Sequence, residues 1–369
     1  MCTYILNEEH SMVQELAREL AEEEIKVRAE EVDHEQRCPK ESIEILAQSG
    51  LVACIAPEDY SGTGVDYHSQ LLVIEEAAKE CASTALTLAN IAEMTEVVLK
   101  HGKESLKQRI IPRMVEGKIA VIAGNDSVLS SALKTNIIAK KTDNGYVLNG
   151  VKNNVVNAKS GEVYLVAAKC ADNILWFVIE KKISGLKTFE QPSKLGFKGC
   201  SFDQIIMEDC YAAEDACLEG GVWKTLSGLQ TLNMAAIAEG IAQGAIAEAI
   251  QYVNQRVQFG KTIAQFQNTQ HVIAELLAKA ESARALVWSA AEVKDAGENY
   301  EYVASMAKLI AADVAASVTR KCVQLMGGYG YSREYPVERK MRDAKMTELL
   351  SGGLNTHKDL IANVSVVRQ

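Results

Sequence analysis

Met12, Leu16, Leu20 and Ile25 recur between charged residues at close to helical spacing, which predicts an opening helix. Further along, Leu71 to Lys100 is a long apolar stretch with Ala and Leu in excess, and the turn cluster Pro57-Glu58-Asp59-Tyr60-Ser61-Gly62-Thr63-Gly64 stands between the two. Residues 1–118 therefore read as an N-terminal helical domain. The texture changes near residue 119. Tyr146 to Gly150, Val163 to Ala168 and Leu175 to Ile179 are β-rich runs broken by Asn, Asp, Gly and Ser. Sequential strands without intervening helices predict an antiparallel sheet or barrel over 119–221. From about residue 222, Ala235 to Gln255, Ala264 to Asp295 and Glu301 to Met326 are long, Ala-rich and nearly free of helix breakers. That pattern predicts a four-helix-bundle-like domain over 222–369. The expected fold class is α+β, mostly α, with an antiparallel β domain between two helical ones. A dinucleotide-binding α/β unit is excluded, because Gly327-Gly328-Tyr329-Gly330 follows a helix and reads as a turn.

Composition adds limits to this picture. A chain of 369 residues, 48% hydrophobic and 24% charged, is ordinary globular protein large enough for two or three packed units. The formal net charge of −10 argues against nucleic acid as a partner and leaves room for a small anionic ligand at a local basic or helix-terminus site. The segment Met1 to Glu9 has no basic and no apolar region of the kind a signal peptide carries. No stretch approaches the roughly 20 apolar residues of a membrane span. Nine scattered cysteines without a Cys-x-x-Cys pair suit reduced thiols in a cytoplasm and offer no zinc pattern.

Four stretches carry a resemblance. Pro57 to Gly64 resembles a Pro-Glu-x-Tyr-Gly-Gly-x-Gly turn. Arg256-Val257-Gln258-Phe259-Gly260-Lys261, continued by Phe266-Gln267 and Gln270-His271, resembles an Arg-x-x-Phe-Gly-Lys motif. Gln324-Leu325-Met326-Gly327-Gly328-Tyr329-Gly330-Tyr331 with Glu334-Tyr335-Pro336-Val337-Glu338 resembles the segment before an active site, and Arg342-Asp343-Ala344-Lys345 follows in order. In this order and with these gaps they resemble the acyl-CoA dehydrogenases over nearly the whole chain. The resemblance implies an acyl-CoA ligand, FAD held across a subunit interface of a dimer or tetramer, and an electron-transfer flavoprotein as a partner. It implies that Arg256, Gln258, Phe259, Gln267, Gln324, Gly327 and Gly328 serve the dinucleotide. An Arg offers a planar fork to pyrophosphate, Gln324 offers a donor and an acceptor, and glycines let backbone approach closely.

The departures are as informative. Where the family has its catalytic glutamate in Tyr-Glu-Gly-Thr, this chain reads Leu350-Ser351-Gly352-Gly353. A serine hydroxyl does not take an α-proton at neutral pH without a stronger base beside it. The alternative base position on the first long bundle helix aligns with Gln230, and the arginine that commonly follows it is Thr231. On the flavin wall, Ala123-Gly124-Asn125-Asp126-Ser127 replaces a threonine by Asn125, and Ser130 and Ser131 find no secure counterparts. Gly150-Val151-Lys152-Asn153-Asn154-Val155-Val156-Asn157 puts Asn154 where an aromatic covers the flavin ring, and Val156 where a threonine bonds it. Asn125 and Asn154 are accordingly expected beside the cofactor.

Substitute bases are Glu348, three residues before Ser351, and Glu239, a carboxylate where the helical pattern calls for an apolar residue. His357 and Asp126 are weaker candidates, and His101 and His271 read as helix-surface or cap residues. The catalytic set has changed while the set lent to a neighbour is kept. We therefore expect a non-catalytic or altered subunit that completes the FAD site of a catalytic paralogue. The alternatives are a working dehydrogenase or reductase with a relocated base, and a non-redox protein that binds acyl thioesters.

Overall fold

The computed structural model describes residues 6–125, 133–190 and 193–366. Asn7 caps α1 (Glu8–Leu20) by accepting the His10 N–H at 2.7 Å, and a π-helical turn at Ala21–Ile25 joins it to α2 (Lys26–Glu35). The predicted helix forms, but turned about its axis. Met12 is 60% exposed, while His10, Gln14, Ala17 and Ala21 face inward. The polar members of that inner face are satisfied across the interface: His10 pairs with Asp66 at 2.7 Å, and Gln14 donates to Glu76 at 2.9 Å. With α3 (Lys40–Gln48), the long apolar stretch then divides into α4 (Tyr67–Glu80) and α5 (Ala82–His101) at Cys81, whose backbone is extended. The helix α6 (Glu104–Val115) closes this part.

Seven strands follow: β1 (Ala120–Ala123), β2 (Ile138–Thr142), β3 (Gly145–Val156), β4 (Val163–Cys170), β5 (Asn173–Glu180), β6 (Leu186–Phe189) and β7 (Phe202–Ala213). Their order is β1-β4-β2-β3-β7-β6, with β5 on β4. The hairpin pairs β2–β3 and β4–β5 are antiparallel, as expected for sequential strands, as are β3–β7 and β6–β7. The β1–β4 and β2–β4 pairs are parallel, so the sheet is mixed about β4. This arrangement follows from long returns of the chain, which no local pattern encodes.

The bundle opens with α7 (Val222–Gln255), which begins 13 residues before the stretch its composition marked. A small hairpin of β8 (Val257–Gln258) and β9 (Lys261–Thr262) leads to α8 (Gln267–Asp295), α9 (Glu301–Met326), the single turn α10 (Gly328–Tyr331), α11 (Val337–Thr347) and α12 (Gly353–Ser365). Most of α7 is buried, because α4 and α5 pack on it from one side and α8, α9 and α11 from others. Gly240 and Gly244 make the crossing with α4 possible. A Cβ at either would stand 2.4 Å from the Glu75 carbonyl oxygen or 2.2 Å from that of Lys79. Contrary to the expectation from sequence, α9 is long and apolar enough by length and composition to cross a membrane; 56% of its most apolar stretch is buried inside the protein.

Candidate functional site

Where α5, the end of β1, β3, α7, the start of α9 and the turn into α12 meet, they enclose a cavity of about 290 Å³. Its walls bring together residues more than 200 positions apart. Asn125, Asn154 and Val156 come from the sheet side, Gln230 and Thr231 from α7, and Ser351 and His357 from the C-terminal segment. The substituted positions Asn125, Asn154, Val156, Gln230, Thr231 and Ser351 thus reach one cavity. Asp126, Ser127, Ser130 and Ser131 lie outside the described residues.

Each of these side chains has a local reason for its placement. Asn154 sits at a bulge in β3, between Lys152 and Val155, with φ of 56°. Asn tolerates that left-handed backbone, and the bulge re-aims its side chain. Asn125 accepts the Lys134 N–H at 3.1 Å, which ties the cavity rim to the start of the next strand segment. Ser351, Gly352 and Gly353 all have positive φ (56°, 99° and 67°), a tight left-handed turn before α12. His357 holds that turn, with Nε2 2.9 Å from the Ser351 carbonyl oxygen and Nδ1 3.2 Å from Ser305 Oγ. Burial and the charge of Lys308 push the imidazole down to about 4, so it is neutral at physiological pH and donates through Nε2. Thr231 bonds back to the Ser227 carbonyl of its own helix at 2.8 Å.

A carboxyl that the motifs did not mark stands in the wall. Glu93 on α5 is 2% exposed and lines the cavity. Its Oε1 accepts from Asn233 Nδ2 at 3.0 Å, and Asn233 Oδ1 accepts the Tyr67 hydroxyl at 3.0 Å. The side chain of Gln230 also bonds to this carboxyl. Among the described residues Oε2 has no partner, and neither does Nδ2 of the cavity-lining Asn90 one turn earlier. Burial pushes Glu93 up to about 8, against the opposing hydrogen bonds of Asn233 and Gln230. A visible signal existed: in the run Ala85 to Met94, Asn90 and Glu93 are polar residues three apart on one helix face. Glu301, at the start of α9, lines the cavity as well and is half-buried.

The two substitute bases proposed from sequence are placed elsewhere. Glu348 caps the end of α11 and pairs with Lys345, off the cavity. Glu239 is fully buried on another face of α7, where Gln243 donates to it beside Glu75 and Arg284. Burial and the like charge of Glu75 hold it well above the usual carboxylate range. It is a protonated core residue, which answers the cost of an unpaired buried charge. His101, at the end of α5, bonds Thr225 Oγ1 at 2.8 Å, and His271 is exposed.

The residues expected to serve a dinucleotide lie on a different surface. Arg256, Gln258, Phe259, Gln267, Gln324, Gly327 and Gly328 are all exposed, and none lines the cavity. Phe259, at the β8–β9 tip with φ of 53°, is 93% exposed. Gln258 bonds the carbonyl of Val257 in the same hairpin at 2.8 Å. The Arg256 guanidinium lies 5.5 Å from the centre of the Tyr329 ring, which brings the hairpin set and the glycine set into one patch. Gly327 has φ of 60° and ψ of −136°, a backbone that requires glycine. At Gly328 nothing in the chain lies within 4 Å of an added Cβ. The chain's own packing therefore does not account for glycine there.

Fold and cavity together define the class: the chain belongs to the acyl-CoA dehydrogenase family. The family's N-terminal, middle and C-terminal domain signatures match residues 7–118, 124–210 and 227–366. Among its relatives, the short-chain specific acyl-CoA dehydrogenase of Clostridium acetobutylicum is 35% identical over 97% of this chain and 98% of that protein. The acryloyl-CoA reductase (NADH) of Anaerotignum propionicum is 34% identical over 97% and 95%. Among solved structures, butyryl-CoA dehydrogenase from Megasphaera elsdenii superposes with a TM-score of 0.91 at 30% identity, covering 99% of this chain and 100% of that one. A chain from the structure of the electron transferring flavoprotein of Acidaminococcus fermentans gives 0.94 at 30% identity, with the same coverage.

Proposed function

We propose that this chain is an altered, cytoplasmic acyl-CoA dehydrogenase subunit that binds an acyl thioester in its own cavity and completes the FAD site of a catalytic paralogue. One observation carries the reading. The substituted side chains line a single cavity, while the retained dinucleotide set occupies one exposed patch apart from it. Arg256, Gln324 and the open backbone at Gly328 fit a dinucleotide tail arriving from another chain. FAD, when bound, supplies the oxidising equivalent for removing hydrogen from an acyl chain, and electrons then pass to a partner such as an electron-transfer flavoprotein. What the family's two base positions lack in this chain is a carboxylate. Ser351 and Gln230 carry no carboxylate, and Glu93 keeps its proton until about pH 8, so at neutral pH it donates hydrogen bonds instead of accepting an α-proton.

Native mass spectrometry of the complex from its own host, with flavin counted per chain, tests the lending role. Fewer flavins than chains in a mixed oligomer support it, as does weaker flavin retention in Arg256→Ala. Losing a hydrogen bond to a charged group, worth about 1.5–3 kcal/mol, predicts roughly 10- to 100-fold weaker retention. A homo-oligomer with one flavin per chain, indifferent to Arg256→Ala, overturns it.

A further inference from the structure

We propose that the α5 wall of the cavity selects acyl thioesters whose acyl chain carries a neutral oxygen, a hydroxyl or carbonyl, and that Asn90 and Glu93 are the residues that recognise it. The inference rests on the reading that the cavity takes an acyl thioester. Two hydrogen-bonding atoms in this wall, Asn90 Nδ2 and Glu93 Oε2, have no partner among the described residues, although both residues are at least nine-tenths buried. They stand one helical turn apart on α5, on the same face. Buried polar atoms without partners are costly, and a hydrocarbon chain laid against them leaves both unsatisfied.

The rest of the network fixes the polarity of the pair. Tyr67 donates to Asn233, and Asn233 donates to Glu93 Oε1, so that oxygen is already engaged as an acceptor. A neutral Glu93 therefore carries its proton on Oε2, and Asn90 Nδ2 is a donor by nature. Two donors side by side call for an acceptor. A carboxylate-bearing acyl group is disfavoured, because no Lys or Arg is among the described residues that line the cavity and its histidine is neutral. An unpaired buried anion is far more costly than a neutral carbonyl or hydroxyl.

The preference has a pH signature. The hydroxyls of Tyr67 on α4 and of Tyr300 before α9 are the titratable groups that feel the Glu93 carboxyl. From α7 the amides Gln230 and Asn233 bear on it, and Glu301 of α9 and His357 of α12 line the same cavity. Ionisation of Glu93 replaces its donor by an acceptor, which repels a ligand carbonyl, whereas a ligand hydroxyl can turn to donate to the carboxylate.

The test is calorimetric titration of the purified chain with butyryl-CoA, 3-hydroxybutyryl-CoA, 4-hydroxybutyryl-CoA, 4-oxopentanoyl-CoA and succinyl-CoA at pH 6.5 and 9. At pH 6.5 at least one hydroxy ester is expected to bind about tenfold or more tightly than butyryl-CoA, with succinyl-CoA weaker than that hydroxy ester. At pH 9 any advantage of 4-oxopentanoyl-CoA, whose chain oxygen only accepts, shrinks. Glu93→Gln, which keeps a donor in place of the acid, should retain the preference and lose its pH dependence; the double variant Asn90→Ala/Glu93→Ala should lose the preference while still binding butyryl-CoA. Equal affinities for butyryl-CoA and both hydroxy esters overturn the inference and leave the thioester reading standing. Tightest binding of succinyl-CoA, or loss of the preference in Glu93→Gln, also overturns it. No binding of any ester removes the thioester reading and this inference with it.

Discussion

Burying a carboxyl that the unfolded chain would ionise ties stability to pH, and Glu93 lets the size of that link be worked out. In the fold its proton is held up to about pH 8, against an ordinary value of 4.5. Between these two values the native state holds a proton that the unfolded state has released. Stability therefore falls as pH rises through this window. Each pH unit is worth about 1.4 kcal/mol, so by pH 7 Glu93 costs roughly 3 kcal/mol, and by pH 8 roughly 4, relative to pH 4.5. Glu93→Gln removes the titration and keeps the geometry: its Oε1 still accepts from Asn233 Nδ2. The variant should match the parent near pH 5 and exceed it progressively toward pH 8. Urea denaturation midpoints of both proteins at pH 5.0, 6.5 and 8.0 measure this directly. Other buried acids, such as Glu239 and Asp343, are common to both proteins and cancel in the difference. A parent–variant gap that stays constant across the three pH values refutes the account, because it would mean that Glu93 is ionised in the fold or titrates at its ordinary value.

The glycines give a paired prediction: Gly244→Ala should destabilise the isolated chain by about 1–3 kcal/mol or more through overpacking against α4, whereas Gly328→Ala should leave its melting temperature unchanged and weaken flavin retention in the mixed oligomer. The purified chain alone should reduce dye with butyryl-CoA at most at a trace level at pH 7, since a general base contributes about 10²–10⁴-fold; turnover near ordinary family rates would show that the base has been replaced. It should also retain little flavin by itself, read from visible absorbance; a stoichiometric yellow protein would show that Asn125 and Asn154 restore the lost contacts.

Much of this was legible in the order of residues. Helix, sheet and bundle succeed one another because their periodicities are local, and α9 begins and ends where its Ala-rich run does. The absence of a carboxylate at Ser351 and Gln230 needs no coordinates, since residue chemistry alone decides it. Only the tertiary structure decided where charge and polarity converge. Met12 carries the helical pattern but faces solvent, because the partners of His10 and Gln14, Asp66 and Glu76, come from more than 50 residues away. Glu239 and Glu348 stood out in the sequence as substitute bases; packing sent one into a core beside Glu75 and Arg284, and the other to a helix end beside Lys345. Glu93 passed unmarked in an apolar run, yet α4, α5 and α7 bring Tyr67, Asn233 and Gln230 to it. The physical reason is the same in each case. Desolvation and hydrogen bonding are set by neighbours far along the chain, and a carboxyl becomes a base, a donor or a buried liability only once those neighbours are in place.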